Sequence, residues 1–136
     1  MTRVRPRVIP YQRGASSPLV SLIGMFGRSK LPTVQARDVA ADAYFLDVRE
    51  DDEWAAGRID GALHMPMMTI PQRLAELPAD RDIVVVCRVG GRSAQATQFL
   101  LENGLQAINL DVGMIAWAAA ARPMIATDPT AEPFVV

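Results

Sequence analysis

One stretch limits what this chain can fold into more than any other: Ile83-Val-Val-Val-Cys87-Arg-Val-Gly-Gly-Arg-Ser93, followed by Ala94-Gln-Ala-Thr-Gln-Phe-Leu-Leu-Glu-Asn103 and Gly104. Four β-branched residues lead into a cysteine, a glycine-containing turn follows, and a segment of helical character is closed by glycine, which reads as strand, loop, helix. In such a unit Cys87 lies at the carboxyl end of a buried strand, beneath loop amides and a helix N-terminus that together form an anion cradle. Arg88 and Arg92 add two permanent positive charges, and Gly90 and Gly91 let the backbone take φ > 0. A thiolate is favoured in such surroundings. The plain alternative is a cysteine that merely fills space as a small hydrophobe. Packing alone gives no reason for two glycines and two arginines within six residues of it, because a core position wants neither charge nor missing side chains.

Composition sets the outer bounds. A chain of 136 residues, 50% hydrophobic and 21% charged, suits one globular domain with a single core. No run of 18 apolar residues is present, so no membrane span is expected. One cysteine rules out an internal disulfide and a two-cysteine redox cycle, and with one histidine it cannot build a Cys/His zinc site, so neither metal nor cofactor is expected. A lone free thiol suits the cytoplasm.

The net charge of -1 conceals an asymmetry. Residues 1–30 carry Arg3, Arg5, Arg7, Arg13, Arg28 and Lys30 and no acid, whereas the remainder holds all 15 acidic residues against eight basic ones. With Pro6, Pro10 and Pro18, this basic N-terminal extension is expected to be mostly irregular. Its apolar patch, Leu19 to Phe26, is short for a signal peptide, and no Ala-x-Ala cleavage site follows. Three other readings are a flexible basic arm, a partner-docking arm, and an extension upstream of a true start at Met25. Nucleic-acid binding is not expected, because arginines interleaved with prolines lack the aromatic platforms of single-strand binders.

From Leu31 the pattern alternates. Thr33-Val-Gln-Ala-Arg-Asp-Val-Ala reads as an edge strand running into a brief helix, and Tyr44-Phe-Leu-Asp-Val48 as a strand with Asp47 and Arg49 at its end. Ligand sites in open parallel sheets gather at such ends. Asp47 and Arg49 are expected to support the site by holding loop backbone. Glu50-Asp-Asp-Glu53 before Trp54 suits a helix N-terminus, where carboxylates are favourable, so this run is assigned to capping. Pro71 to Leu77 is a short helix with Leu74 and Leu77 inward. Ala107 to Asp111 is a further strand, and Val112 begins a last helix that runs through the alanines to Arg122-Pro123 and carries Trp117 as a packing residue. The alternation predicts an α/β domain over residues 31–125, a parallel sheet with helices on both faces, and a loose tail over 126–136.

Cys87-Arg-Val-Gly-Gly-Arg-Ser93 resembles the active-site loop of the rhodanese-like sulfurtransferases. Other segments are similar to the same family in the same order. Asp47-x-Arg49 matches, and Gly57-Arg-Ile-Asp-Gly-Ala-Leu-His-Met-Pro66 resembles the family's Gly-His-Ile-x-Gly-Ala-x-Asn/His-Ile-Pro, with Arg58 where histidine is usual. Val112-Gly113 followed by Trp117 resembles its Gly-Gly and tryptophan, with valine in place of the first glycine. His64 is the single histidine, at a position the family uses structurally. The resemblance implies that Cys87 accepts a sulfane sulfur from thiosulfate or a similar donor as a persulfide and passes it to a thiol, cyanide or a protein. It further implies that Arg88, Val89, Gly90, Gly91 and Arg92 form the binding loop, with Ser93 in support.

Two other functions compete. Phosphatases and arsenate reductases with a related loop place five residues between cysteine and arginine, whereas Cys87 and Arg92 have four between them, a smaller cradle suited to one sulfur. The second competitor is a rhodanese-like binding or regulatory module in which sulfur transfer is incidental.

Overall fold

The computed structural model of the protein describes residues 31–136. The basic extension, its apolar patch and the alternative start at Met25 lie outside the described residues.

Five strands form one fully parallel sheet: β1 (Thr33–Val34), β2 (Tyr44–Asp47), β3 (Leu63–His64), β4 (Ile83–Val86) and β5 (Ala107–Leu110). Their order is β1-β5-β4-β2-β3. Three α-helices lie between strands, α1 (Asp51–Ala56), α2 (Ile70–Arg73) and α3 (Gly91–Glu102), and a fourth, α4 (Gly113–Ala119), follows β5. The helix expected from Pro71 to Leu77 is α-helical only up to Arg73, with 3-10 turns on either side at Met67–Thr69 and Leu74–Glu76. Leu77 is buried beyond it, so its inward role stands although the helix does not reach it.

The strands read as continuous apolar runs because both faces of the sheet are covered. Ile83, Val85 and Cys87 face one core cluster with Leu46, Ile70, Ala96 and Leu100. The alternate residues Val84 and Val86 face a second cluster with Phe45, Ile108, Met114 and Trp117. Cys87 thus continues the inward alternation of β4 by one residue past the strand end.

Register decides what shares an edge. Asp47 stands opposite Val86 and Val85 opposite Asn109, so the ends of β2, β4 and β5 are nearly level. After β2 the chain moves to β3 on one side, and after β4 it moves to β5 on the other. The crevice between the ends of β2 and β4 is therefore the point where the winding reverses, the usual ligand position in open α/β sheets. Arg49 and Cys87 border it.

The tail departs from expectation. Rather than loose, residues 125–136 are fastened along α1: Arg58 and Ile125 exchange backbone bonds of 2.8 and 2.9 Å, Thr127 N–H donates to Ala55 at 3.0 Å and Phe134 N–H to Ala56 at 3.1 Å. Val135 packs on the second cluster. A Cβ at Gly57 would fall 2.4 Å from the Phe134 carbonyl oxygen; the glycine there lets the tail pass. The prolines that suggest looseness only prevent regular structure, while the backbone bonds go to a neighbouring element.

Candidate active site

Cys87 is 1% exposed at the head of α3. Its Sγ accepts the Gly90 N–H at 3.0 Å and lies 3.3 Å from Ser93 Oγ. Gly90 holds φ at +106°, a left-handed conformation that glycine takes without strain, and this turns its amide back onto the sulfur. Gly90 also caps α3, its carbonyl accepting from Ala94 N–H at 3.0 Å. The amides of Gly91 and Arg92 lie in the first turn, where no intrahelical acceptor exists.

The loop is fixed from behind by α4. Met114 N–H donates to the Cys87 carbonyl at 2.8 Å and Ile115 N–H to that of Arg88 at 3.1 Å, so the free donors of α4 hold the loop that leads into α3. Gly113 permits this approach: a Cβ there would lie 2.3 Å from the Cys87 carbonyl oxygen. Val112, just before it, has φ +56°, an uncommon conformation for a β-branched residue. The usual glycine would sit there without strain.

The two arginines of the loop are both engaged. Arg92 Nη1 and Nη2 donate to the two carboxylate oxygens of Glu53 at 2.7 and 2.8 Å, a bidentate pair that fixes the guanidinium plane. The hydrogen bonds from Arg92 are the main cause that lowers the Glu53 pKa to about 2; burial opposes them, and the Glu50 N–H and the charges of Arg92 and Arg49 assist. Glu53 in turn raises that of Arg92. Arg88 Nε donates to the main-chain oxygen of Val136 at 2.6 Å. Val89 is 53% exposed at the loop's crest. Of the two positive charges in the loop, Arg92 is balanced by a carboxylate and Arg88 is turned to the tail.

Asp47 and Arg49 do not touch the sulfur. Arg49, fully buried, donates through Nε and Nη2 to Asp47 at 2.9 and 2.8 Å and through Nη2 to the Gly57 carbonyl at 2.7 Å. The pair ties the end of β2 to the end of α1. His64 Nε2 lies 2.8 Å from the Arg49 carbonyl and its ring stacks on Trp54 at 4.4 Å; no contact with Cys87 joins it to the site. Arg58 rests over the Trp54 ring at 4.5 Å and donates to Thr127 at 2.6 Å, so the residue that replaces the usual histidine fastens the tail. Trp117 packs edge-on against Phe45 and donates to the Pro123 carbonyl.

Two residues to which the sequence pattern assigns no part in the site belong to this arrangement. Glu53 caps α1, its side chain accepting the Glu50 N–H at 3.0 Å, while also holding Arg92. Asn109 accepts from Ser93 at 2.5 Å and donates to the Gly90 carbonyl at 3.4 Å. A signal for Asn109 existed: an amide amid the apolar residues of a central strand needs partners. Glu53 gave no comparable signal, because its partner is 39 residues away. An apolar cleft of about 210 Å³ lies between Met67–Pro71 and α3, and Cys87 is not in its lining.

Comparison with known proteins agrees with this geometry. The rhodanese-like domain family matches residues 33–120. A sulfurtransferase of Allochromatium vinosum is 43% identical over 88 residues, covering 64% of this chain and 82% of that one. The thiosulfate sulfurtransferase GlpE of Shewanella oneidensis is 33% identical over 82 residues, 60% of this chain and 81% of its own. The crystal structure of a rhodanese-related protein from Thermoplasma volcanium superposes with a TM-score of 0.65 at 28% identity, covering 68% of this chain and 96% of that one. With the parallel sheet, the level strand ends and the cysteine loop in place, the chain belongs to the rhodanese-like domain family.

Proposed function

We propose that the protein is a sulfurtransferase that takes a sulfane sulfur from thiosulfate, or a donor of similar chemistry, onto Cys87 and passes it to a thiol, cyanide or protein acceptor. The observation that carries this reading is the Gly90 N–H aimed at Cys87 Sγ from 3.0 Å. A backbone donor fixed on a sulfur stabilises negative charge there without reorganising as the reaction proceeds.

In the first step the Cys87 thiolate attacks the outer sulfur of thiosulfate. A bond forms between Sγ and that sulfur, the bond to the sulfonate sulfur breaks, and sulfite leaves with the electron pair. The terminal sulfur of the resulting persulfide lies toward the first turn of α3, where the unbonded Gly91 and Arg92 amides and the helix N-terminus favour an anion. In the second step an acceptor thiolate attacks the terminal sulfur and Cys87 leaves as thiolate. Such a covalent relay gives ping-pong kinetics. Arg92, balanced by Glu53, acts here by fixing the loop, and Arg88 is the cation that exchanges the main-chain oxygen of Val136 for the donor's sulfonate. Asp47 and Arg49 support the crevice from β2. Among the described residues no helix is long and apolar enough to cross a membrane, and the single thiol suits a reducing compartment such as the cytoplasm.

Intact mass after incubation with thiosulfate tests the reading. A gain of about 32 Da, one sulfur on a nucleophilic thiolate, that cyanide or dithiothreitol removes and Cys87→Ser abolishes is the expected result. Prompt alkylation of Cys87 with no mass gain from thiosulfate would move the search to another donor, and a Cys87 that neither gains sulfur nor alkylates would leave a binding module.

A further inference from the structure

The amide of Asn109 is held between two groups that differ in what they can do. The Gly90 carbonyl, 3.4 Å from Nδ2, can only accept, so the amino end of the amide faces it and Oδ1 faces Ser93. Oδ1 also can only accept, and at 2.5 Å from Ser93 Oγ it takes the one hydroxyl proton. Ser93 therefore presents lone pairs to Cys87 Sγ at 3.3 Å, an arrangement that receives a proton from a neutral thiol and offers none to an anion. All three side chains are buried.

From this we infer that Asn109 is a positioning residue that sets the direction of the Ser93 hydroxyl, and that this hydroxyl turns from Asn109 to Sγ when the sulfur becomes anionic. The Gly90 donor is constant in both states, whereas the Ser93 donor is conditional. The inference rests on Cys87 being the sulfur carrier proposed above. The charged groups around the sulfur are Arg92 on α3 with Glu53 from α1, Arg88 in the loop, and the Asp47–Arg49 pair after β2. Asp111, after β5, accepts from Gln35. None of them is altered in the test.

The test is the rate of Cys87 alkylation by iodoacetamide against pH in the full chain. Asn109→Leu, of nearly equal shape, frees the hydroxyl for the sulfur, and its profile moves to lower pH. One charge-assisted hydrogen bond corresponds to about one pH unit, so alkylation well below the wild-type midpoint rises about fivefold to tenfold. In a Ser93→Ala background the same substitution leaves the profile unmoved. A shift that persists without Ser93, or no shift with it, overturns the assignment. If Asn109→Leu does not fold, Asn109→Asp is the second variant; it moves the profile to higher pH, and by more with Ser93 present than absent. Equal shifts in the two backgrounds overturn the assignment. Mass gain from thiosulfate is scored separately: its absence alongside the Ser93-dependent shift rejects sulfur transfer from thiosulfate and leaves the role of Asn109 standing.

Discussion

Replacing Glu53 by glutamine removes one charge while keeping the side chain's shape and its bond to the Glu50 N–H, so the capping of α1 survives. What is lost is the charge opposite Arg92. The carboxyl is lowered from its ordinary 4.5 to about 2, which at about 1.36 kcal/mol per unit sets a ceiling of about 3 kcal/mol. The Arg92 side chain is 36% exposed, and solvent screening reduces the value to about 1–2 kcal/mol. Because the folded-state pKa is the lower one, the contribution is complete above about 4.5, declines as pH falls and is gone once pH has passed through about 2. Urea unfolding of wild type and Glu53→Gln from pH 7 to pH 2 measures it. The variant is expected to be less stable by about 1–2 kcal/mol at pH 7, with the two curves converging between 4.5 and about 2. A difference that stays constant across this window would falsify the assignment of the stabilisation to the ion pair.

Four further outcomes are expected. Val112→Gly relieves a left-handed β-branched residue, and after the extra chain entropy of glycine it raises stability by about 0.5–1 kcal/mol, or a few degrees in Tm; calorimetry showing a lower Tm would contradict this. Gly113→Ala forces a Cβ against the Cys87 and Arg88 backbone and lowers stability by about 2 kcal/mol or more, with loss of sulfur loading, as urea titration and intact mass would show. Arg58→Ala removes the Trp54 and Thr127 contacts, so limited proteolysis within residues 126–136 accelerates while the sheet stays resistant; unchanged cleavage would mean that the backbone bonds alone hold the tail. Arg88→Ala raises the thiosulfate concentration for half-maximal loading about tenfold, the worth of one charge-assisted contact, and Arg88→Lys recovers part of it in steady-state assays.

The sequence by itself determined the α/β class, the parallel sheet and the position of Cys87, because these depend on local pattern. Ile83 to Val86 is apolar throughout since both faces of a parallel strand are buried, and two glycines after a strand end mark a turn whatever surrounds it. That Arg49 bonds neighbouring backbone was also within reach, since a charged pair two residues apart at a strand end meets the chain that passes beside it. What the arginines of the loop face was decided by tertiary structure alone. Arg92 meets Glu53, and Arg88 meets Val136, across separations that no local periodicity encodes. The tail likewise read as loose from its prolines, yet its backbone groups find partners on α1 that exist only once the sheet has brought that helix into place. Asn109 belongs to both: its polarity in a buried strand is visible in the chain, but the register of β4 against β5 and the left-handed turn at Gly90 decide that its amide meets Ser93 and the loop around the sulfur.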